Sequence, residues 1–282
     1  MTIGEALSIA YNTLKVENID TYILDSQLLI QKVLKKDKLF IILNRNLEIS
    51  LKDQEEFFKL IKLRKDKMPV KYILGECEFM GLNFNVKEGV LIPRADTEVL
   101  VEEVIKEIKE NGYNNVCDVC CGSGAIGISI GKYIKETIID CYDISDIAIE
   151  VTKNNINKFQ LNNKVYVYKS DLLDEAKRQN KMYDVIVSNP PYIKEEVIPT
   201  LMKDVKEYEP YIALCGGKDG LYFYNKITKN SVDFLNRGGL LAFEIGYDQG
   251  KEVKDILIEN GFSNIKVIKD LAGLDRVVMG RL

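Results

Sequence analysis

Apolar residues follow two rhythms along the chain, and the change between them divides it. Over residues 2–16, Ile3, Ala6, Leu7, Ala10 and Leu14 recur at helical spacing. Leu28, Leu29 and Val33 do the same over residues 25–34. Ser50 is suited to cap a further helix, with Gln54 and Glu55 early in it and Phe57, Phe58, Ile61 and Leu63 following. No alternating pattern interrupts this stretch, so residues 1–68 are expected to form a small helical domain. Pro69 ends the pattern. Tyr72, Ile73 and Leu74, then Leu82, Phe84 and Val86, carry strand signals, with Gly75 and Gly81 as turn residues. Residues 69–92 are expected to form a β-hairpin linker.

Asp96, Thr97 and Glu98 then open a helix to about residue 110, with acidic side chains at its positive end. From Asn115 short apolar strands alternate with helices. Strands are expected over 116–120, 137–142, 165–168, 184–188, 240–245, 265–268 and 277–279. Helices are expected over 124–134, 145–159, 221–235 and 251–260. Such alternation means a mainly parallel sheet with helices on both faces. The expected fold class is α/β, a Rossmann-like sheet over residues 93–282 behind the helical domain.

Composition narrows the chemistry. The 282 residues include no histidine and no tryptophan. A Ser-His-Asp or Cys-His mechanism is therefore excluded, as is a histidine-ligated metal. Carboxylates, amides, hydroxyls, backbone groups or a cofactor must do the work. Net charge is −4, without the basic footprint of a protein that lives on a phosphate backbone. The first ten residues lack a basic start with a long apolar run, and no stretch approaches a membrane span. The cytoplasm is the expected location.

Three segments fall at carboxyl ends of expected strands, the usual binding edge of an open α/β sheet. Asp118 and Val119 lead into Cys120, Cys121, Gly122, Ser123 and Gly124, where glycine lets backbone turn tightly and approach a ligand. Asp143 follows the second strand of the sheet, placed to accept hydrogen bonds from two ribose hydroxyls. Asp171 and Leu172 follow the third, where an adenine would lie. Gly122, Gly124 and Gly127 also match the dinucleotide fingerprint. The Gly loop alone does not choose between a nicotinamide cofactor and S-adenosylmethionine.

The fourth strand separates them. It ends in Asn189, Pro190, Pro191 and Tyr192. Prolines cannot continue a central strand, and they stiffen the turn. The Asn189 side-chain oxygen and the Pro190 carbonyl are two adjacent acceptors, matching the two donors of a planar NH2. Gripping both directs the nitrogen lone pair at a sulfonium methyl, and Tyr192 lies over the flat group. Asn189, Pro190 and Tyr192 are the expected catalytic residues. Asn189, Pro190, Pro191 and Tyr192 are expected to bind the acceptor. The chain reads as an S-adenosylmethionine-dependent methyltransferase acting on a planar nitrogen.

At these residues the chain resembles the release factor glutamine methyltransferases, the PrmC/HemK family. The likeness runs through Asp25 to Leu29, Pro69 to Gly75, Glu78-Phe79, Gly81-Leu82 and Val90 to Arg94. It continues through Asp96 to Glu98, Glu209-Pro210, Gly216-Gly217, Asp219 to Leu221 and Glu244 to Gly246, and ends with Asp270 to Gly273 and Asp275 to Val277. The resemblance implies a substrate, the glutamine of the Gly-Gly-Gln motif in peptide chain release factors, methylated on its side-chain amide nitrogen. It implies cofactor contacts at Cys120, Cys121, Gly122, Ser123, Gly124, Asp143, Leu172 and Asn189, and a helical domain that helps dock the release factor. A monomer that needs no nucleic acid and no membrane is expected. The family carries glycine where Cys120 stands and proline where Ala95 stands. Ordinary strand geometry is expected at Cys120. Leu172 is aliphatic where some members are aromatic.

Two other readings stay open. One is a nucleic acid methyltransferase acting on an exocyclic amine of adenine or guanine. The other is a nicotinamide-binding or cofactor-sensing module, which leaves Asn189 to Tyr192 unexplained. Cys117, Cys120 and Cys121 invite a metal reading, but strand residues three apart point to opposite faces. The run Lys35 to Lys38 is expected to be a solvated turn. Glu244 either faces the site or caps the next loop. Arg94 and Asp96 either close over the cofactor or pair with each other.

Overall fold

The computed structural model describes residues 1–282 and contains two compact units. The smaller holds Met1–Glu76 with Met202–Tyr208, and the larger holds Cys77–Leu201 with Glu209–Leu282.

The smaller unit is built on α1 (Ile3–Val16), α2 (Tyr22–Leu34), α3 (Lys38–Leu43), α4 (Leu51–Lys65) and α5 (Val70–Leu74). A capping box starts α1: the Thr2 hydroxyl accepts from Glu5 N, and the Glu5 carboxylate accepts from Thr2 N. Ser50 caps α4 by accepting from Asp53 N at 3.1 Å. Ile3, Leu7, Leu29 and Phe57 pack together in the core. Buried Asp25 accepts from Arg64 Nε at 2.7 Å and ties α2 to α4.

Two local expectations fail here. Tyr72 to Leu74 form the helical turn α5, not a strand. Three adjacent apolar residues carry no period, so Pro69 before them and Gly75 after them, at φ +78, decide the outcome. The lysine run is only partly a turn. Lys35 is the left-handed cap of α2, and Asp37 caps α3 by accepting from Phe40 N at 2.8 Å.

In the larger unit β1 (Glu76–Phe79) and β2 (Leu82–Asn85) form a hairpin whose Phe79 and Phe84 are buried in the main core. Next come α6 (Thr97–Asn111), β3 (Asn115–Val119), α7 (Ala125–Tyr133), β4 (Ile138–Asp143) and α8 (Asp146–Phe159). They are followed by β5 (Val165–Lys169), α9 (Asp174–Arg178) and β6 (Tyr183–Ser188). The short helix α10 (Lys203–Lys206) lies in the segment that belongs to the smaller unit. The chain ends with α11 (Tyr211–Leu214), α12 (Tyr222–Ser231), β7 (Leu235–Glu244), α13 (Gly250–Glu259), β8 (Ser263–Lys269) and β9 (Asp275–Arg281). The helix expected over 221–235 stops early because β7 begins at Leu235, where Tyr183 N donates to Phe234 O at 2.8 Å.

The seven-stranded sheet has the order β5-β4-β3-β6-β7-β9-β8. The pairs from β5 through to β7 are parallel, and β9 runs antiparallel to both its neighbours. Both faces are buried: Val116, Val185 and Val187 enter one core cluster, Cys117 and Ile186 the other. The strand order reverses between β3 and β6, the place where such sheets open a crevice for ligands.

The turn from β3 into α7 uses three left-handed residues, Cys120 at φ +61, Gly122 at φ +57 and Gly124 at φ +76. The ordinary geometry expected at Cys120 is therefore wrong. The chain must leave the strand and enter the helix within five residues, while Cys121 N donates to Tyr142 O at 3.0 Å. A non-glycine residue in this conformation carries about 1–2 kcal/mol of strain. Gly124 and Gly127 also serve packing. A Cβ on Gly124 would stand 2.8 Å from Thr152 Cγ2, and one on Gly127 would stand 2.7 Å from Cys141 Sγ. Gly122 is open, with only Val90 Cγ1 within range at 3.8 Å.

Substitutions at Cys120 should expose this strain. Cys120→Val, β-branched and of similar size, is expected to lower stability by about 1–2 kcal/mol. Cys120→Gly should leave stability unchanged or raise it. Denaturant unfolding of the three proteins measures both; equal stabilities would show that the turn carries no strain.

Candidate active site

Four strand ends, those of β3, β4, β5 and β6, bring the expected cofactor residues to one cavity of about 290 Å³. Cys120, Cys121, Gly122, Ser123, Asp143, Leu172, Asn189 and Pro191 line it. Gly124, Pro190 and Tyr192 do not reach its wall. Arg94 and Thr97 do, contributed by the segment before α6 and by its first residue.

The Gly loop is clamped from three sides. Gly122 N donates to Asp143 Oδ2 at 2.8 Å. The Thr152 hydroxyl donates to Gly122 O at 2.9 Å, and Asn155 Nδ2 to Ser123 O at 2.9 Å. Asn155 also exchanges hydrogen bonds with the backbone of Asn85, joining the hairpin to the loop. Thr152 and Asn155 are fully buried and were missed in the sequence. The signal was there: both are polar residues on the apolar face of α8.

Asp143 accepts from Gly122 N with Oδ2 and from Ser145 N with Oδ1, at 2.8 and 2.9 Å. Burial raises its pKa, against the pull of these backbone donors. Each carboxylate oxygen keeps a further lone pair for a hydroxyl. Val90, Ile126, Ala148 and Leu172 give apolar walls for a flat base. Leu172 is itself left-handed, at φ +47, which turns the chain at the end of β5.

Asp118 is fully buried below the loop. Its Oδ2 accepts from Gly127 N at 2.9 Å, and burial pushes its carboxyl up to about 7. This contact weighs against a pyrophosphate at that amide. A dinucleotide pyrophosphate uses the free amides at a helix start. Here the Gly127 amide is taken by an acid, and Gly127 owes its missing Cβ to Cys141. The set present, a carboxylate beside the loop, apolar walls and a buried acid under the helix start, fits the cationic S-adenosylmethionine.

Asn189 stands at the end of β6. Its Nδ2 donates to the Thr97 hydroxyl at 3.3 Å. Tyr192 is half-buried behind it, and its hydroxyl donates to Glu244 Oε1 at 3.3 Å. Burial pushes Glu244 up to about 7, although Thr97, Arg276 and Tyr192 pull it down. Its Oε2 is buried and makes no hydrogen bond. Of its two expected roles, the side chain faces the acceptor motif.

The turn after Asn189 is held by a residue the sequence did not single out. Buried Gln249 donates through Nε2 to Tyr192 O at 3.1 Å and to Gly220 O at 3.3 Å. Its Oε1 accepts from Gly246 N at 2.9 Å and from the Tyr224 hydroxyl at 3.4 Å. Gly216 and Gly220 permit the approach, since a Cβ on either would stand 2.7 Å from Tyr192 Cα and 2.4 Å from Tyr192 O respectively.

Arg94 and Asp96 do not pair with each other. Arg94 Nη2 donates to both oxygens of Glu209 at 2.6 and 2.8 Å. Asp96 pairs with Arg276 at 3.3 Å, which also holds Asp270 at 3.0 Å. This accounts for the spacing of Asp270 and Arg276 on either side of a tight hairpin loop.

Comparison with known proteins identifies the family. The family model of the Methyltransferase small domain matches residues 95–205, and that of the PrmC N-terminal domain matches residues 5–75. The release factor glutamine methyltransferase of Clostridium botulinum is 57% identical over 100% of this chain and 99% of its own length. That of Clostridium acetobutylicum is 51% identical over 99% of this chain and 98% of its own length. A crystal structure of a methyltransferase from Pyrococcus furiosus shares the fold, with a TM-score of 0.50 at 19% identity over 72% of this chain and 90% of that one. Identity of this level across the whole length, with both family models in order, shows that the chain belongs to the release factor glutamine methyltransferase family.

Proposed function

We propose that the protein methylates the side-chain amide nitrogen of the glutamine in the Gly-Gly-Gln motif of peptide chain release factors. The observation that carries this is Asn189, held at the cavity wall with Nδ2 turned to Thr97. That orientation leaves Oδ1 as an acceptor for the NH2 of an incoming amide. S-Adenosylmethionine supplies the electrophilic methyl group. Asn189 Oδ1 and the Pro190 carbonyl take the two N–H donors and hold the nitrogen in line. Tyr192, fixed at its hydroxyl by Glu244 and at its carbonyl by Gln249, limits the tilt of the amide plane. As the N–CH3 bond forms, the sulfonium S–CH3 bond would break and the sulfur would leave as a neutral thioether; the methylated amide then loses one N–H proton to solvent, so positioning supplies most of the rate enhancement.

Asp143 and Leu172 hold the ribose and base, with Cys120 to Ser123 beneath. Residues 1–68 contribute to docking the release factor, as the PrmC N-terminal match over residues 5–75 supports. The net charge of −4 favours a reaction that needs no nucleic acid. No helix is long and apolar enough to cross a membrane. The protein acts in the cytoplasm as a monomer.

Methyl-labelled S-adenosylmethionine should label a bacterial release factor and spare its Gly-Gly-Gln glutamine-to-alanine variant. Equal labelling of the two would sink the glutamine assignment. Labelling of an adenine- or guanine-bearing oligonucleotide instead would replace the substrate class. Asn189→Ala should lower kcat by about 100-fold or more, because loss of the amide grip misplaces the nitrogen. Asp143→Ala should raise the cofactor Kd about 10- to 100-fold, the value of a charged hydrogen bond in a buried site. Calorimetry reads the second effect; an unchanged Kd would remove Asp143 from the cofactor site.

A further inference from the structure

An asparagine amide is nearly symmetric in shape, yet its two ends are opposite in chemistry. Turned the wrong way, Asn189 would present two donors to the NH2 of the acceptor. Its Nδ2 is met by the Thr97 hydroxyl. That contact does not by itself fix the amide, because a hydroxyl both donates and accepts. Something must fix the hydroxyl first.

Glu244 lies at the end of β7 and is 2% exposed, while Thr97 is 4% exposed. The carboxyl accepts from Tyr192, is close enough to the Thr97 hydroxyl to be stabilised by it, and keeps one buried oxygen without a hydrogen bond, free to take that hydroxyl's proton. An ionised carboxylate only accepts hydrogen bonds. We propose that Glu244 is a positioning residue that takes the hydroxyl protons of Thr97 and Tyr192. Thr97 then offers a lone pair to Asn189 Nδ2, and Asn189 offers Oδ1 to the acceptor amide. The proposal rests on the reading of Asn189 given above.

The groups facing Glu244 come from every neighbouring element. They are Tyr192 of the acceptor turn, Tyr224 of α12, Arg276 of β9 and Asp96 at the head of α6, with Asp270 paired to Arg276. Burial is the largest influence and holds the carboxyl near 7. Below that pH the protonated carboxyl donates, and the polarity of the Thr97 hydroxyl is no longer imposed. Activity therefore falls as pH falls through about 7, and rises on the alkaline side.

The test uses the full chain with a release factor and labelled cofactor. Thr97→Val keeps the shape and removes the hydroxyl; it should lower kcat about 10- to 100-fold, and Thr97→Ser should restore most of it. Glu244→Gln, nearly isosteric, should flatten the acidic limb of the kcat profile while leaving the cofactor Kd within about twofold. Thr97→Val at wild-type kcat, or an acidic limb retained in Glu244→Gln, would overturn the proposal. A second measurement needs no acceptor. The assigned side-chain amide resonances of Asn189 should titrate with a midpoint near 7 in the wild type and stay flat in Glu244→Gln. A wild type that labels no release factor defeats the substrate reading, and the amide titration still decides the role of Glu244. Resonances that ignore pH in the wild type overturn it.

Discussion

Two adjacent prolines leave the acceptor turn without two of its backbone donors, and its first backbone tie comes at Ile193, which donates to Leu214 O at 2.9 Å. One buried amide takes their place. Gln249 makes two donor contacts and two acceptor contacts, joining Tyr192, Gly220, Gly246 and the Tyr224 hydroxyl. An amide with every partner satisfied can be buried; one with a partner missing costs about 1–3 kcal/mol. The glycines at 216 and 220 follow from this constraint, because any side chain there would push the turn off its anchor. The family resemblance in that region thus has a mechanical cause and owes nothing to phosphate binding.

A chain with no histidine has no side chain that titrates near neutrality by default. Burial creates two. Asp118 under the Gly loop and Glu244 behind the acceptor turn both reach about 7, and each sits at a strand end within the catalytic unit. The first occupies a helix amide that a phosphate would otherwise claim. The second lies beside Tyr192 and Thr97. Neither is exposed to solvent, so both depend on the packing around them.

The sheet was legible because β3, β4 and β6 are short apolar runs bounded by turn residues, and because glycines and Asp143 follow them at fixed places. The placement of Asn189 and Pro191 at the cavity wall was legible because prolines cannot continue a central strand, whereas Pro190 and Tyr192 stand off that wall. Gln249 and Thr97 were not legible, since their partners are distant in sequence and no local pattern marks them. Cys120 misled because its side chain gives no hint of a left-handed backbone. Tyr72 to Leu74 misled because three adjacent apolar residues fit either period. The pairing of Arg94 with Glu209, more than a hundred residues apart, lay beyond any local reading.

The helical unit is made from two pieces of chain. Met202–Tyr208 lies in it, and the Tyr208 hydroxyl donates to Asp66 O at 2.7 Å within that unit. The polypeptide therefore passes between the units three times, after Glu76, after Leu201 and after Tyr208. A ribosome must finish more than two-thirds of the chain before the first-made helices receive their last strand of partners. The same threading makes the unit poor material for recombination. An exchange of the first 76 codons between relatives transplants most of it and leaves behind a seven-residue remnant matched to the discarded surface. The two parts of the gene must change together, even though they lie far apart in the reading frame.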